Sequence, residues 1–361
     1  MTDEWSEQYL APYISKLMGR ITSNLFLGKP LCRDPTWLAL ILDVVRAIFE
    51  TVVYMRNTPR FTHPILGAVL PSRQRLEDRM EKLHNFLEPL VEERMANDEK
   101  YNSRGQMRSD VYDKPNDVMQ WMMDIASDEE YTPENLASRF VYTIMGSIRQ
   151  VVDVVMNSVY ELCERPEYIE PLREEMTRAL EEDGGWGKRT AGKLLKLDSF
   201  IKETSRHYQP SALAFRRLTK EPITLHDGIV LPKDTYLSVA TTSIEQDGMP
   251  DSLEFDGFRY YNERVSLNKV GASRYDYAAT DTCHLQFGHG KHACPGRFAA
   301  SIEAKMLLAH LLLQYDIKSP PGRSARPKII RVMDFKKQDG LVPTYMRKRQ
   351  PKSMTLLDFK K

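Results

Sequence analysis

The fold of this chain is decided by residues 287–296, which read FGHGKHACPG. The one cysteine of the stretch, Cys294, ends a glycine-rich loop, and Pro295 suits the first turn of a helix that we predict over residues 297–315. A helix N-terminus favours a thiolate over a thiol, and Gly296 leaves room for a flat ligand against the backbone. Gly288 and Gly290 permit the positive φ angles that turn backbone N–H groups toward the sulfur. The stretch therefore predicts a single thiolate that is presented to a metal.

The same residues, hereafter the thiolate loop (287–296), resemble the haem-binding loop of the cytochromes P450. That family has Phe, Gly, Gly, Cys and Gly at fixed offsets, and this form of the loop is similar to that of filamentous-fungal members in secondary metabolism. The resemblance implies that Cys294 is the axial iron ligand and that Phe287 shields it. It also implies that Gly288 and Gly296 line the haem and that His292 binds a propionate. A thiolate ligand favours O–O cleavage at haem iron.

Two other interpretations of the loop stay open. Cys294 could be a buried structural cysteine at a helix start. The chain also crowds Cys283, His284, His289, His292 and Cys294 into a short stretch, which could hold zinc. Structural zinc sites, however, prefer paired spacings such as Cys-x2-Cys with a distant second pair, and the sequence has none.

Composition indicates an enzyme of a reducing compartment rather than a nucleic-acid-binding protein. Lys and Arg number 51 and Asp and Glu 50, so no charge excess points to nucleic acid. The four cysteines show no disulfide framework. No signal peptide and no run of 18 apolar residues appears. We therefore expect an intracellular protein without a transmembrane segment, although the full-length members of the family that it resembles are anchored in the endoplasmic reticulum membrane.

Hydrophobic periodicity predicts a mainly α fold with small β-sheets. The pattern changes to strands after residue 222, with a hairpin of residues 223–225 and 229–231, a strand over 236–241 and a small set of strands within 317–347. Residues 97–116 and 247–285 are predicted to be loops. The predicted helices span residues 3–26, 35–54, 73–97, 121–126, 133–165, 167–182, 193–208 and 297–315.

A second motif supports the resemblance. Glu203 and Arg206 are three residues apart on one helix face and can form a bidentate ion pair. The pair resembles the Glu-x-x-Arg of the cytochromes P450, which locks the segment beneath the haem. By the same resemblance Arg259 is the third member of that lock. Either Arg216 or Arg217 takes the place of a further propionate ligand.

The long helix departs from the family pattern. The resemblance places Gly146-Ser147 at a kink and puts Arg149 and Gln150 where an acid or histidine and a threonine usually deliver protons to bound dioxygen. Arginine cannot lose a proton in a protein. Arg149 and Gln150 are therefore candidate catalytic residues of an altered site that favours desaturation, ring closure or oxidative coupling. Alternatively, Arg149 and Asp153 simply neutralise each other.

The resemblance also predicts domains and function. It covers residues 1–346 as one haem-thiolate domain, which lacks the family's N-terminal region, and leaves a basic tail at 347–361. It implies a monooxygenase of a fungal secondary-metabolite pathway that oxidises an apolar terpenoid, polyketide or alkaloid. The enzyme would use dioxygen and electrons from NADPH through a cytochrome P450 reductase. The alternatives are a truncated, catalytically silent relative with weak or no haem binding, and a zinc or other metal-binding module.

Overall fold

The computed structural model describes residues 3–56, 58–103, 114–209, 211–246, 251–268, 273–332, 335–339 and 341–349. The chain forms two compact units. One unit comprises Ala11–Val152, and the other comprises Met1–Leu10 together with Asp153–Lys361. Both are built mainly from helices, and the strands form small sheets. The expected mainly α fold with small β-sheets is thus confirmed.

The unit of residues 11–152 is helical because its segments carry apolar side chains at helical spacing. Its core lies where α2 and α4 pack, and it includes the fully buried Trp37, Ile41, Leu83 and Leu87. The Trp37 ring stacks on Phe86 at 5.2 Å between ring centroids. Its helices are α1 (Leu10–Leu27), α2 (Pro35–Arg56), α3 (His63–Val69), α4 (Pro71–Ser103), α5 (Val118–Asp124) and the first part of α6 (Pro133–Glu164).

The other unit packs the remaining helices around α9 and α12. Apolar residues on one face of each are buried, among them Leu197 and Phe200 of α9 and Leu308 and Leu312 of α12. These two helices hold the motifs singled out in the sequence. The helices of this unit beyond α6 are α7 (Ile169–Asp183), α8 (Lys188–Lys193), α9 (Leu195–His207), α10 (Thr241–Gln246), α11 (Arg259–Ser266) and α12 (Arg297–Gln314).

All described strands pair antiparallel and belong to the unit that contains α9 and α12. The largest sheet has the order β1-β9-β6, and the others are the pairs β2-β5, β3-β4 and β7-β8. The strands are β1 (Ser6–Gln8), β2 (Leu213–Leu218), β3 (Ile223–Thr224), β4 (Val230–Leu231), β5 (Tyr236–Ala240), β6 (Tyr315–Lys318), β7 (Lys328–Val332), β8 (Phe335–Asp339) and β9 (Thr344–Lys348).

Segments with strong local signals match the sequence predictions. The N-cap and proline signal at Thr132-Pro133 starts α6, which ends at Glu164 just before Pro166. The 223–231 hairpin forms with Ile223 opposite Leu231. The helix predicted after Pro295 is α12, and the strand predicted over 236–241 is β5.

Three predictions are wrong in their bounds. The helix expected over 3–26 starts only at Leu10, because residues 6–8 pair with β9 and Pro12 is tolerated only in a first turn. The loop expected over 97–116 begins later, since α4 continues to Ser103, and residues 104–113 lie outside the described residues. The loop expected over 247–285 contains α11, whose Tyr260 packs into the core.

Two expectations concern the chain as a whole. Within the described ranges, no helix combines the length and the apolar character that a membrane crossing requires. The predicted division into a domain of 1–346 and a tail of 347–361 stays a prediction. Arg347 and Lys348 are the last residues of β9, and residues 351–361 lie outside the described part of the chain.

Candidate functional site

The thiolate loop folds as a tight turn that is closed on itself. The N–H of Cys294 donates to the carbonyl of Phe287 at 2.7 Å, and the N–H of Gly288 donates to Leu285 at 2.8 Å. Gly288 and Gly290 both have φ of 70°, the left-handed region that favours glycine. The positive φ angles predicted for the two glycines are thus confirmed, and the turn brings the Cys294 N–H back to the first residue of its own loop. The predicted turning of N–H groups toward the sulfur stays a prediction.

Cys294 lies three residues before Arg297, the first residue of α12. Its carbonyl accepts from the Arg297 guanidinium at 2.8 Å, and its side chain is half-buried. A Cβ added to Gly296 would lie 3.9 Å from the Cys294 sulfur, so the missing side chain keeps the approach to the sulfur open. On the first turn of α12, Phe298 leaves 59% of its surface exposed. One thiol, a bare glycine and an exposed aromatic ring together fit a flat, largely apolar group that is held by a single sulfur, as haem would be.

Phe287 packs against a buried tyrosine. Its ring meets that of Tyr277 edge to face, with centroids 5.0 Å apart and an interplanar angle of 61°. Burial raises the pKa of Tyr277 to about 12, and the nearby Cys294 contributes in the same direction. Tyr277 is therefore a neutral phenol at neutral pH, and Phe287 presents an apolar ring beside the cysteine.

Glu203 and Arg206 form the bidentate pair that their spacing allows. Arg206 donates through Nε at 2.9 Å and through Nη2 at 2.7 Å to the two carboxylate oxygens. Glu203 is 0% exposed and Arg206 is 5% exposed. The second Arg206 amino group reaches out of the helix to the carbonyl of Ser252 at 2.6 Å. The pair thus fixes the segment around residue 252 to the end of α9.

Arg259 joins this pair as the third member. Its Nε lies 3.3 Å from the Glu203 carboxylate, and it also donates to the carbonyl of Glu254 at 3.0 Å. Burial alone would raise the pKa of Glu203, but hydrogen bonds from Arg206 and His207 outweigh burial and hold that pKa at about 2. Glu203 is therefore an anion that binds both Arg206 and Arg259.

The other predicted haem contacts, His292 and either Arg216 or Arg217, are exposed or half-buried. His292 is exposed at the end of the short helical turn Gly290–His292. On β2, Arg216 is half-buried and donates to the Ser211 hydroxyl at 3.0 Å, whereas the exposed Arg217 lies near the Phe215 ring. Burial favours Arg216 over Arg217 as the inward-facing one of the two. Their binding to a propionate stays a prediction.

Arg149 and Gln150 lie on α6 in the unit of residues 11–152. The Arg149 guanidinium lies 5.4 Å from the centroid of the Phe49 ring, an arrangement that stabilises a cation. Gln150 is exposed, and α6 passes through Gly146 and Ser147 as one continuous helix. The Ser147 hydroxyl donates to the carbonyl of Thr143 at 2.9 Å.

The zinc interpretation finds no support among the described residues. None of their His, Cys, Asp and Glu side chains form a group of three or more that could hold a metal ion. His284 instead lies 2.9 Å from Asp281, and His289 lies 3.4 Å from the Thr280 hydroxyl. These residues are therefore close in sequence, but their side chains do not converge on a common metal position.

Sequence reasoning missed a buried polar cluster between α9 and α12, hereafter the Asp198 cluster (Asp198, Lys202, Ser301 and Lys305). All four residues are buried, and Lys202 is 0% exposed. A signal was present, because Asp198 interrupts the apolar face that Leu197 and Ile201 form on α9. A carboxylate on a buried face needs partners.

Comparison with known proteins decides the family. The sequence model of the family described as cytochrome P450 matches residues 3–340. The chain belongs to the cytochrome P450 family. The family implies haem with an axial thiolate to iron, and the cysteine that matches the family's motif in this chain is Cys294.

Two relatives from fungi are similar over nearly the whole chain. Cytochrome P450 monooxygenase AN1598 of Emericella nidulans is 39% identical over 349 residues, which cover 96% of this chain and 64% of the relative. Cytochrome P450 monooxygenase olcJ of Penicillium canescens is 40% identical over 347 residues, with the same coverage of 96% and 64%. The chain thus spans somewhat less than two thirds of the length of these relatives.

The fold has a solved counterpart as well. The structure of the retinoic acid-bound cyanobacterial CYP120A1 matches with a TM-score of 0.70 and 16% sequence identity. The match covers 95% of this chain and 70% of that one. The chain therefore has a cytochrome P450 fold over nearly all of its length.

Proposed function

We propose that this chain is a haem-thiolate monooxygenase that oxidises a small apolar metabolite, a terpenoid, polyketide or alkaloid, in a fungal secondary-metabolite pathway. Its electrons come from NADPH through a cytochrome P450 reductase, and its oxidant is dioxygen. The observation that carries the proposal is the setting of Cys294, a half-buried thiol beside a side-chain-free Gly296 at the start of α12. The named activities of the two fungal relatives point the same way.

The residues of the thiolate loop hold the haem. Cys294 would bind the haem iron, since a cysteine thiolate is the donor that haem iron takes in this family. Phe287 accepts the Cys294 N–H through its backbone, and its apolar ring would limit the access of water to the sulfur. Gly288 and Gly296 leave room for the ring, and His292 and Arg216 bind its propionates. Haem iron, when bound, supplies the activation of dioxygen.

Three charged residues of α9 and α11 support the thiolate loop indirectly. Glu203, Arg206 and Arg259 form a charged cluster whose hydrogen bonds fix the segment of residues 252–259 to α9. These residues touch no reacting atom, and they act by holding the scaffold of the thiolate loop rigid. Because Glu203 is buried, loss of Arg206, which forms two of its hydrogen bonds, would leave its charge poorly compensated in the core.

Arg149 and Gln150 set the kind of oxidation. Arg149 keeps its proton, so it cannot act as an acid. Gln150 holds a water through its amide but supplies no proton. These two residues would therefore supply protons more slowly than an acid and a threonine. Slow delivery favours desaturation, ring closure or oxidative coupling over hydroxylation.

The test uses the full chain loaded with haem, a fungal cytochrome P450 reductase and NADPH. We expect NADPH oxidation that depends on the reductase, with much of the reducing power released as hydrogen peroxide. The double variant Arg149→His/Gln150→Thr should lower the peroxide released per NADPH severalfold. Unchanged coupling in that variant counts against a role for Arg149 and Gln150. Failure of the unaltered chain to take up haem favours the alternative, a catalytically silent relative.

A further inference from the structure

One peptide bond of the segment before the thiolate loop is held at both ends by α9. The N–H of Tyr277 donates to the Asp198 carboxylate at 2.5 Å. The carbonyl of the same peptide unit, that of Asp276, accepts from the Lys202 ammonium at 3.3 Å. Asp198 and Lys202 are four residues apart and share one face of the helix. Lys202 also donates to the carbonyl of Arg274 at 3.0 Å, so the segment is fixed at successive points.

The second carboxylate oxygen of Asp198 reaches α12, the helix that follows Cys294. It forms an ion pair with Lys305 and lies 3.5 Å from the Ser301 hydroxyl. Asp198 is 2% exposed and Lys305 is 8% exposed, so water screens this pair little. Lys305 in turn donates to the carbonyl of Ala191 at 3.3 Å. One carboxylate therefore ties α12 to α9 and to the segment of Tyr277.

These two attachments lie on opposite sides of Cys294 in the chain. Upstream, the Tyr277 ring packs on Phe287, and the carbonyl of Tyr277 accepts from the Gln286 side chain at 3.3 Å. The Phe287 carbonyl accepts the Cys294 N–H. Downstream, α12 begins at Arg297 and carries Ser301 and Lys305 on its inner face. A shift of either flank would therefore move the sulfur.

We propose that Asp198 is a positioning residue that fixes both flanks of the thiolate loop and thereby sets the place of the Cys294 sulfur. The inference rests on the proposed function for its consequence, iron ligation. It differs from the role given to Glu203, whose partners are Arg206, His207, Asp256 and Arg259 rather than the flanks of Cys294. Asp198 touches no reacting group, so its effect is on where the ligand stands.

The chain offers a matched control in Glu175. This carboxylate is also buried, at 6% exposure, and it also accepts backbone N–H groups, those of Lys196 and Leu197 at 2.7 and 3.0 Å. Its bonds hold the start of α9 and reach neither flank of the thiolate loop. Loss of its charge tests what any buried carboxylate near α9 contributes to the fold.

The first measurement is hydrogen exchange on the full chain without haem, which makes it independent of the proposed function. Asp198→Asn keeps the shape of the side chain but faces Lys305 with a neutral amide. A charge-assisted hydrogen bond of this kind is worth enough to make exchange at the Tyr277 and Cys294 amides about tenfold faster or more. Glu175→Gln should leave both amides at their unaltered rates once global stability is matched with urea.

The second measurement is the absorption spectrum of the reduced, carbon monoxide-bound protein after haem loading. Asp198→Asn should lower the fraction of haem with the red-shifted Soret band of a thiolate ligand severalfold, whereas Glu175→Gln should not. Lys305→Met removes the ion pair to Asp198 and the bond to Ala191 but leaves Asp198 bound to Tyr277, and it should act in the same direction. The double variant Asp198→Asn/Lys305→Met should lower the thiolate-ligated fraction no further than the more severe single variant, because both changes break the same Asp198–Lys305 ion pair.

The outcomes separate the two proposals. Haem uptake failing in the unaltered chain overturns the proposed function, while the exchange rates still decide the role of Asp198. Equal exchange in the Asp198 and Glu175 variants overturns the positioning role, as does an unchanged thiolate fraction in Asp198→Asn. If Asp198→Asn does not fold, Lys305→Met decides on the same two measurements.

Discussion

At the scale of single residues, two glutamates of the same unit have pKa values shifted in opposite directions, because hydrogen-bond donors surround only one of them. Glu203 is buried but surrounded by donors, and its pKa is held at about 2. Glu303, on α12, is half-buried without such compensation, and partial loss of hydration raises its pKa from 4.5 to about 7. The first is an anion at every physiological pH, whereas the second exchanges its proton near neutrality.

The raised pKa of Glu303 makes the free energy of unfolding fall as pH rises. Its folded pKa is raised, so the native state binds more protons than the unfolded state between pH 4.5 and about 7. The stabilising contribution is complete below pH 4.5 and is lost as pH rises to about 7, a change of at most about 3 kcal/mol in the free energy of unfolding. Glu303→Gln should remove that slope in urea unfolding measured from pH 4.5 to 8.

The exposed Glu174 provides the control for this prediction. Glu174→Gln should leave the slope of stability against pH as it is in the unaltered chain. Equal slopes in the Glu303 variant and the unaltered chain would show that Glu303 titrates in the folded state as it does in the unfolded one.

Residue spacing along the sequence predicts the local contacts but not those between distant segments. Glu203 and Arg206 are three apart on a helix, so their pairing follows from helical geometry. The partners of Asp198 are Tyr277 and Lys305, which lie far along the chain. Their pairing depends on how α9, α12 and the intervening segment pack, and no spacing rule gives that.

At the scale of secondary structure elements, α9 is positioned by an aromatic cluster that leaves room only for glycine at residue 257. The Tyr168 ring lies 5.4 Å from Phe200 of α9 and 4.9 Å from Phe258 between centroids. Gly257 passes between these rings, and its N–H donates to the Tyr168 hydroxyl at 3.1 Å. A Cβ there would stand 2.5 Å from the Phe200 ring and 2.9 Å from that of Tyr168.

Gly257→Ala should therefore destabilise the fold by about 1–3 kcal/mol, because two packed rings would have to move. The matched control is Gly192→Ala on α8, where an added Cβ meets nothing within 4 Å. Alanine at residue 192 should be neutral or stabilising by up to about 1 kcal/mol, since glycine weakens a helix interior. Urea midpoints at constant slope measure both changes. Equal midpoints for the two variants would contradict the packing argument.

The elements that sequence predicted well are those with a long period or a start signal. α6 has a cap, a proline and a continuous apolar pattern, and α12 follows Pro295. β1 and β2 were missed because a short strand is defined by a partner elsewhere in the chain, β9 and β5 respectively. α11 was missed because it has eight residues and its first residue follows a Phe258 that provides no cap.

At the scale of the whole molecule, the grouping of elements could not be read from the sequence. The division into units falls between Val152 and Asp153, inside α6, and no linker composition marks it. The sheet β1-β9-β6 likewise joins residues 6–8 to residues 344–348, with Trp5 stacked on Tyr345 at 5.5 Å. Such pairing of distant segments is set by packing. The family, in contrast, could be predicted from the ten residues of the thiolate loop.

The central claim for the whole molecule is that Cys294 ligates haem iron. The most direct measurement is the absorption spectrum of the reduced, carbon monoxide-bound full chain, compared between Cys294→Ala and Cys283→Ala, the exposed cysteine close by in sequence. We predict that the Cys283 variant keeps the red-shifted Soret band of a thiolate ligand and that the Cys294 variant loses it completely. An unaltered band in Cys294→Ala would show that Cys294 is not the iron ligand.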